Sequence, residues 1–248
     1  MSRPSWYLDP LVAAQKQAVH LDLLARWMTK RPGLLLKTDL FEEANGADQL
    51  LFDLSAQSNT ALGVDITIPT VAWARKRCPA GRRILFSAAD VRALPLRSDS
   101  VDLIVSNSTL DHFDKKEDFI QALRELVRIL RPDGCLIVTV DNVLNPLYWP
   151  LRWLSWAAPF RLGYSPSPRT LSRILREAGL TQTGSAQLIH NPRLISTLLF
   201  LALRRMLGHR ADPPIQALLR AFALLGRLPT RRFTGCFWAL NARKPGAA

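Results

Sequence analysis

A doubly wound α/β fold is what this chain predicts, and three observations predict it. Between residues 34 and 142, short apolar runs alternate with stretches patterned as helices, the signature of a parallel sheet covered on both faces. The runs are continuous rather than alternating, as strands buried on both sides should be. Each run ends in a polar group: Asp39, Asp65, Asp90, Asn107 and Asp141-Asn142. Ligands of such folds sit beyond the carboxyl ends of the strands.

The elements follow in order. Residues 11–30 carry Leu11, Val12, Ala18, Val19, Leu23, Leu24 and Trp27 near helical spacing, and Pro32-Gly33 ends that helix. A strand is predicted at 34–38 and a second at 61–66. Pro69 opens a helix through Arg77, since proline is well tolerated in a first turn. Strands follow at 83–87 and 101–107. A helix over 115–130 places Phe119, Leu123, Leu126, Val127 and Leu130 on one face, and RPDGCLIVTVDN then reads as a turn and a fifth strand. Beyond it the composition changes. Residues 144–161 are rich in Trp, Leu and Pro, with Arg152 and Arg161. A helix is expected from Pro168 to Ala178, a strand within 180–190, helices near 193–207 and 213–227, and a last strand at 233–243. We read one domain over 1–248: a core at 34–142, a helical and basic region at 143–232, and the late strand.

Charge divides the chain in the same place. Of 248 residues, 1–144 contain 18 Lys+Arg and 18 Asp+Glu, whereas 145–248 contain 15 basic residues and only Glu177 and Asp212 as acids. The whole excess of +13 lies in the last part. Such asymmetry suits an anionic partner: a phosphate-bearing substrate, an anionic membrane surface or nucleic acid. A plain surface preference for arginine is the alternative. Cys78, Cys135 and Cys236 are scattered and lack C-x-x-C spacing, which argues against a disulfide framework or a metal site and fits a reducing, cytoplasmic setting. Charged residues interrupt the N-terminal stretch, so no signal peptide is expected, and no apolar run is long enough to span a bilayer.

The chemistry concentrates at the strand ends. Asp65 closes a strand one βα unit after the first, where an acid accepts hydrogen bonds from ribose hydroxyls. Asp90, ending the next strand, can accept from an adenine amino group, with the following backbone N–H, that of Val91, bonding a ring nitrogen. The stretch LLLKTDLFEEANG at 34–46 is the anomaly. A glycine-rich turn is expected after such a first strand, but Phe41, Glu42 and Glu43 stand there.

Three segments carry a resemblance: LGVDIT, SAADVRALPLRSDSVDLIVSNSTLDHF and ALRELVRILRPDGCLIVTV. With them, residues 34–142 resemble the class I S-adenosylmethionine-dependent methyltransferases, in particular the quinone-biosynthesis and small-molecule group. The resemblance implies a mostly parallel, Rossmann-like, seven-stranded sheet with its last strand antiparallel, and S-adenosylmethionine as cofactor. It implies cofactor contacts at Asp65, Ile66, Asp90, Val91 and Asn107. It departs from the family at the first loop, where Lys37 replaces the usual acid and Thr38-Asp39 begin the stretch replacing the glycines. There Asp39 or Glu42 would engage the cationic end of the cofactor, and Lys37 or Thr38 its carboxylate. The alternative is a pocket that no longer binds, with Lys37 and Asp39 as a surface ion pair.

Methyl transfer depends chiefly on alignment. An oxygen or nitrogen acceptor also needs a base, and Asp111 and His112 follow the fourth strand; His112 is the better base at neutral pH. A capping or packing role is the other reading of His112. The aromatic segment and basic helices suit a lid over a small, lipid-like or anionic substrate and a contact with anionic headgroups. A nucleic-acid methyltransferase and a non-catalytic binding protein are the alternatives. Against the first, the chain has no N-P-P-Y-like pocket for a flipped base and no appended RNA-binding module.

Overall fold

The computed structural model describes residues 9–154 and 162–246. Arg161 and the rest of 155–161 lie outside the described residues. Strands β1 (Leu34–Thr38), β2 (Thr60–Asp65), β3 (Ile84–Ala88), β4 (Val101–Asn107), β5 (Leu130–Asp141), β6 (Thr181–Leu188) and β7 (Phe237–Arg243) form one sheet in the order β3-β2-β1-β4-β5-β7-β6. The first five are parallel, and β7 runs antiparallel between β5 and β6. Chain order reverses between β1 and β4. That switch point opens a crevice at the carboxyl ends of these two strands.

Helices cover both faces because successive strand residues point to opposite sides. Leu36, Val64, Ile104 and Val138 face α5 (Lys116–Ile129) and α7 (Pro168–Glu177). Leu35, Leu103, Val105 and Ile137 face the other way, toward α1 (Pro10–Trp27), α3 (Leu50–Ala56) and α4 (Ile68–Arg77). Helix α5 buries Phe119, Ala122, Leu123, Leu126 and Ile129, a stripe at three- and four-residue spacing. Burying each large side chain there contributes about 1.5–3 kcal/mol.

Several boundaries differ from the sequence reading. Helix α1 stops at Trp27 rather than at residue 30, because Met28 is already extended and caps the Leu24 carbonyl. The stretch after β1 contains α2 (Phe41–Asn45) and α3, two short helices that the apolar pattern did not separate. The expected turn before the fifth strand is taken inside β5: Leu130 pairs with Val101, and Asp133 adopts φ 61. The aromatic segment holds α6 (Tyr148–Leu154). Helices α8 (Arg193–Leu207) and α9 (Asp212–Leu224) appear where the periodicity put them. Residues expected to begin the last strand instead form α10 (Arg231–Thr234), and β7 starts at Phe237.

Candidate cofactor and substrate site

The loop after β1 is built on a buried ion pair. The Lys37 ammonium donates to Glu43 Oε2 at 2.9 Å and to the Asp39 carbonyl, and both charged side chains are almost fully buried. Burial alone would push the Lys37 pKa down, but the carboxylates of Glu43 and Asp39 more than offset it and raise it. The other Glu43 oxygen accepts from the Leu51 backbone N–H at 2.8 Å. One side chain thereby joins β1, α2 and α3. The arrangement is neither the expected cofactor contact of Lys37 nor a surface pair with Asp39. Thr38 is buried as well, its hydroxyl bonded to Ser106 at 3.1 Å and Thr109 at 2.8 Å across to the end of β4.

Asp39 keeps the backbone path that a glycine would take. Its φ of 67 lies in the left-handed region, which Asp tolerates better than most residues. Its carboxylate accepts from the Phe41 N–H at 2.6 Å. Burial pushes its pKa up and the facing Asp65 adds to this, against Lys37, the Phe41 N–H and His112. Asp39, Asp65 and His112 therefore meet at one mouth.

Asp65 ties β2 to that loop. Its Oδ1 accepts from the Thr67 N–H and hydroxyl at 2.8 and 2.7 Å, and its Oδ2 from the Leu40 N–H at 3.0 Å. Leu40 packs directly over Gly63, where a Cβ would come within 2.6 Å of the Leu40 and Leu51 methyl groups and require both to shift. Beside Asp65, Ile66 is 66% and Ile68 72% exposed, an unusual exposure for two large aliphatic side chains. Asp90 is clasped by Arg92 through Nε and a terminal nitrogen, and that hydrogen bonding lowers its pKa. Arg92 also reaches Asp118 at 2.8 Å and lies over the Phe113 ring. Val91 is buried.

At the other side of the switch point, Asp111 is buried and accepts from the Asp141 N–H at 2.8 Å and from the Ser108 hydroxyl. Burial, then the Asp141 charge, raise its pKa to about 7. Asp141 pairs with Arg193, whose guanidinium stacks on Phe237 at 4.1 Å. His112 is exposed beside this group. A shallow cleft with an enclosed volume of about 10 Å³ adjoins it, lined by Asn142, Asn145, Tyr148, Leu151, Arg193 and Cys236.

Sequence reasoning missed Glu43, Arg193 and His20. A lysine inside an apolar strand needs a buried acid, a signal that would have pointed to Glu42 or Glu43. Arg193 had no local signal, lying 52 residues from its partner. His20, on α1, reaches the end of β4: its Nδ1 lies 2.7 Å from the Lys16 carbonyl, and Asn107 is beside the ring. Burial lowers its pKa to about 4. It is therefore neutral at pH 7.

Comparison with known proteins fits this architecture. Residues 42–138 match the family model described as a methyltransferase domain. That match, the relatives and the solved structures together support a class I S-adenosylmethionine-dependent methyltransferase. A probable S-adenosylmethionine-dependent methyltransferase of Mycobacterium tuberculosis is 29% identical over 152 residues, covering 61% of this chain and 50% of the relative. The chain thus spans about half the length of that curated relative. Its fold is shared with a solved S-adenosylmethionine-dependent methyltransferase from Mesorhizobium loti (TM-score 0.63, 16% identity, covering 91% of this chain and 98% of that one). It is shared too with the cyclase SpnF (TM-score 0.61, 22% identity, 98% and 86%).

The residues present fit the family's cofactor. Asp65 Oδ2 has one donor and capacity for another, and Ile66 offers an exposed apolar face next to it. Asp39 supplies the left-handed turn that the missing glycines would otherwise provide.

Proposed function

We propose that this chain transfers a methyl group from S-adenosylmethionine to a small acceptor with an anionic or lipid-like part. The observation carrying the reading is the meeting of Asp39, Asp65 and the exposed Ile66 at the switch point of a methyltransferase sheet. In this reading Asp65 receives the ribose hydroxyls, and Ile66 and the Asp90-Val91 turn border the adenine. Asp39 faces the cationic end, and Asn107 closes the floor. Lys37 and Thr38 act from behind, holding the loop in place. The cofactor supplies an already activated methyl group, so the protein's task is to align the acceptor and exclude water. His112, exposed at the mouth, takes the acceptor's proton. Asp111 orders the end of β5 through the Asp141 N–H. Arg193 and the cleft beside Tyr148 receive the acceptor.

Free thiols at all three cysteines suit a cytoplasmic setting, and the acid-poor C-terminal part is the portion that would meet an anionic surface. Among the described residues, no helix is long and apolar enough to cross a membrane.

One observation favours a second reading, a non-catalytic binding protein: Lys37, Thr38 and Glu43 of the first loop are all engaged within the protein. Fold alone does not decide between them, as the cyclase SpnF illustrates. A tRNA methyltransferase is also named among the relatives, but that match spans 32% of this chain and 17% of the mouse protein, too little to carry an acceptor across.

Calorimetry with S-adenosylmethionine tests the proposal. Saturable binding is expected, weakened about tenfold to a hundredfold by Asp65→Ala, the loss expected for hydrogen bonds to a charged group. No binding by folded wild type would remove methyl transfer and leave the binding-protein reading.

A further inference from the structure

Helix α8 carries apolar residues on both sides. Its inner side packs on α9 and α1 through Phe200 and Leu203, and Arg204 anchors it to Asp9 and Asp212. Its outer side should be polar if water were its partner. Instead Ile195, Leu198, Leu199, Ala202 and Met206 recur at three- and four-residue spacing and are exposed, Met206 by 80%. The stripe is about 16 Å long at helical rise.

Charge says what covers it. No Asp or Glu occurs between Glu177 and Asp212 or after Asp212, and both of those acids are paired, with Arg173 and Arg204. The stripe runs into exposed Arg205 and, beyond the helix, exposed Arg210. A second copy would bring one basic surface against another, which is unfavourable. An anionic bilayer satisfies both features, taking apolar side chains below the headgroups and arginines among them.

Position adds a reason. The first residue of α8, Arg193, lines the shallow cleft whose other wall is α6 with Tyr148 and Leu151. Away from that wall α6 exposes Trp149 (61%) and Trp153 (74%), a residue type suited to headgroup depth.

We propose that the outer face of α8, with the α6 tryptophans, docks the protein on an anionic lipid surface and sets the Arg193 cleft at the headgroup plane, where a lipid-borne acceptor can enter. The proposal rests on the anionic-surface part of the functional reading; docking itself does not require methyl transfer.

Flotation of the full chain tests it, using phosphatidylcholine vesicles with and without about one-third phosphatidylglycerol. Binding is expected only with the anionic lipid. Leu198→Asp/Met206→Asp should weaken it about tenfold or more, and Arg205→Gln/Arg210→Gln about tenfold, with high salt doing the same. Circular dichroism should show both variants folded, and their S-adenosylmethionine affinity should equal that of wild type. Absence of vesicle binding by folded wild type overturns the proposal, as does binding indifferent to the α8 substitutions. A solution dimer abolished by Leu198→Asp, without vesicle binding, would overturn it in favour of a second copy. Vesicle binding without cofactor binding would sustain docking while removing methyl transfer.

Discussion

The two parts of this molecule treat their charges and apolar groups in opposite ways. Up to Leu144, acids and bases balance, and buried ionic groups such as Lys37 and Glu43 are paired inside the fold. Six large apolar side chains are well exposed there among the described residues, and three of them, Phe41, Ile66 and Ile68, lie around the candidate cofactor mouth. After Leu144 eleven are exposed, and arginines outnumber acids sevenfold. The first part therefore leaves few large apolar groups uncovered, half of them at the candidate cofactor mouth, whereas the second leaves a wider surface for something outside the chain. Stability should depend on the paired groups of the first part together with the α7 and β7 core, and association on the exposed face of the second part.

The largest test of that contrast is Glu43→Ala. It strands the Lys37 ammonium and the Leu51 N–H, and should cost about 3–5 kcal/mol in urea unfolding. Adding Lys37→Met should recover much of the loss, since the buried charge is then gone. A loss below about 1 kcal/mol would mean that water reaches the pair and the first loop is open.

A smaller effect is expected from Asp111→Asn, through pH. The folded-state pKa of Asp111 is about 7 against an ordinary 3.8. Between those values the unfolded chain releases a proton that the folded protein keeps, so stability falls as pH rises through this window. Asp48, raised to about 6, acts in the same sense. His20, lowered to about 4, acts in the opposite one, adding stability as pH rises to 6.5. Unfolding at about pH 4 and pH 7 should show wild type losing more than about 1 kcal/mol relative to the variant over that interval. Equal pH profiles would place Asp111 in contact with solvent.

The smallest effect belongs to the second part. Arg205→Gln should change unfolding free energy by less than about 0.5 kcal/mol, because the side chain is exposed. A larger destabilisation would mean that this surface serves the fold and would blur the contrast.

Much of the fold was legible because it is written in short-range patterns. Strand β1 appears at the residues its apolar run marked, and α5 buries the stripe that its spacing announced. The short helices α2 and α3 were not legible, since five and seven residues give too little periodicity. The end of α1 was misplaced for the same kind of reason: the Met28 backbone turns away while the composition does not change. Asp65 and Asp90 could be singled out because strand ends are recognisable. What each carboxylate holds could not, since Leu40 and Arg92 are brought to them by the folded loop.

Composition and order alone determined the class of sheet, the polar strand ends and the division into a balanced and a basic part, because these depend on periodicity and on counting. Tertiary structure decided the rest. It turned Lys37 inward onto Glu43, set neutral His20 beside Asn107, and joined Arg193 to Asp141 across 52 residues. It also left the outer stripe of α8 uncovered. Those outcomes depend on which surfaces meet when the layers pack, and no local pattern encodes a neighbour that is distant along the chain.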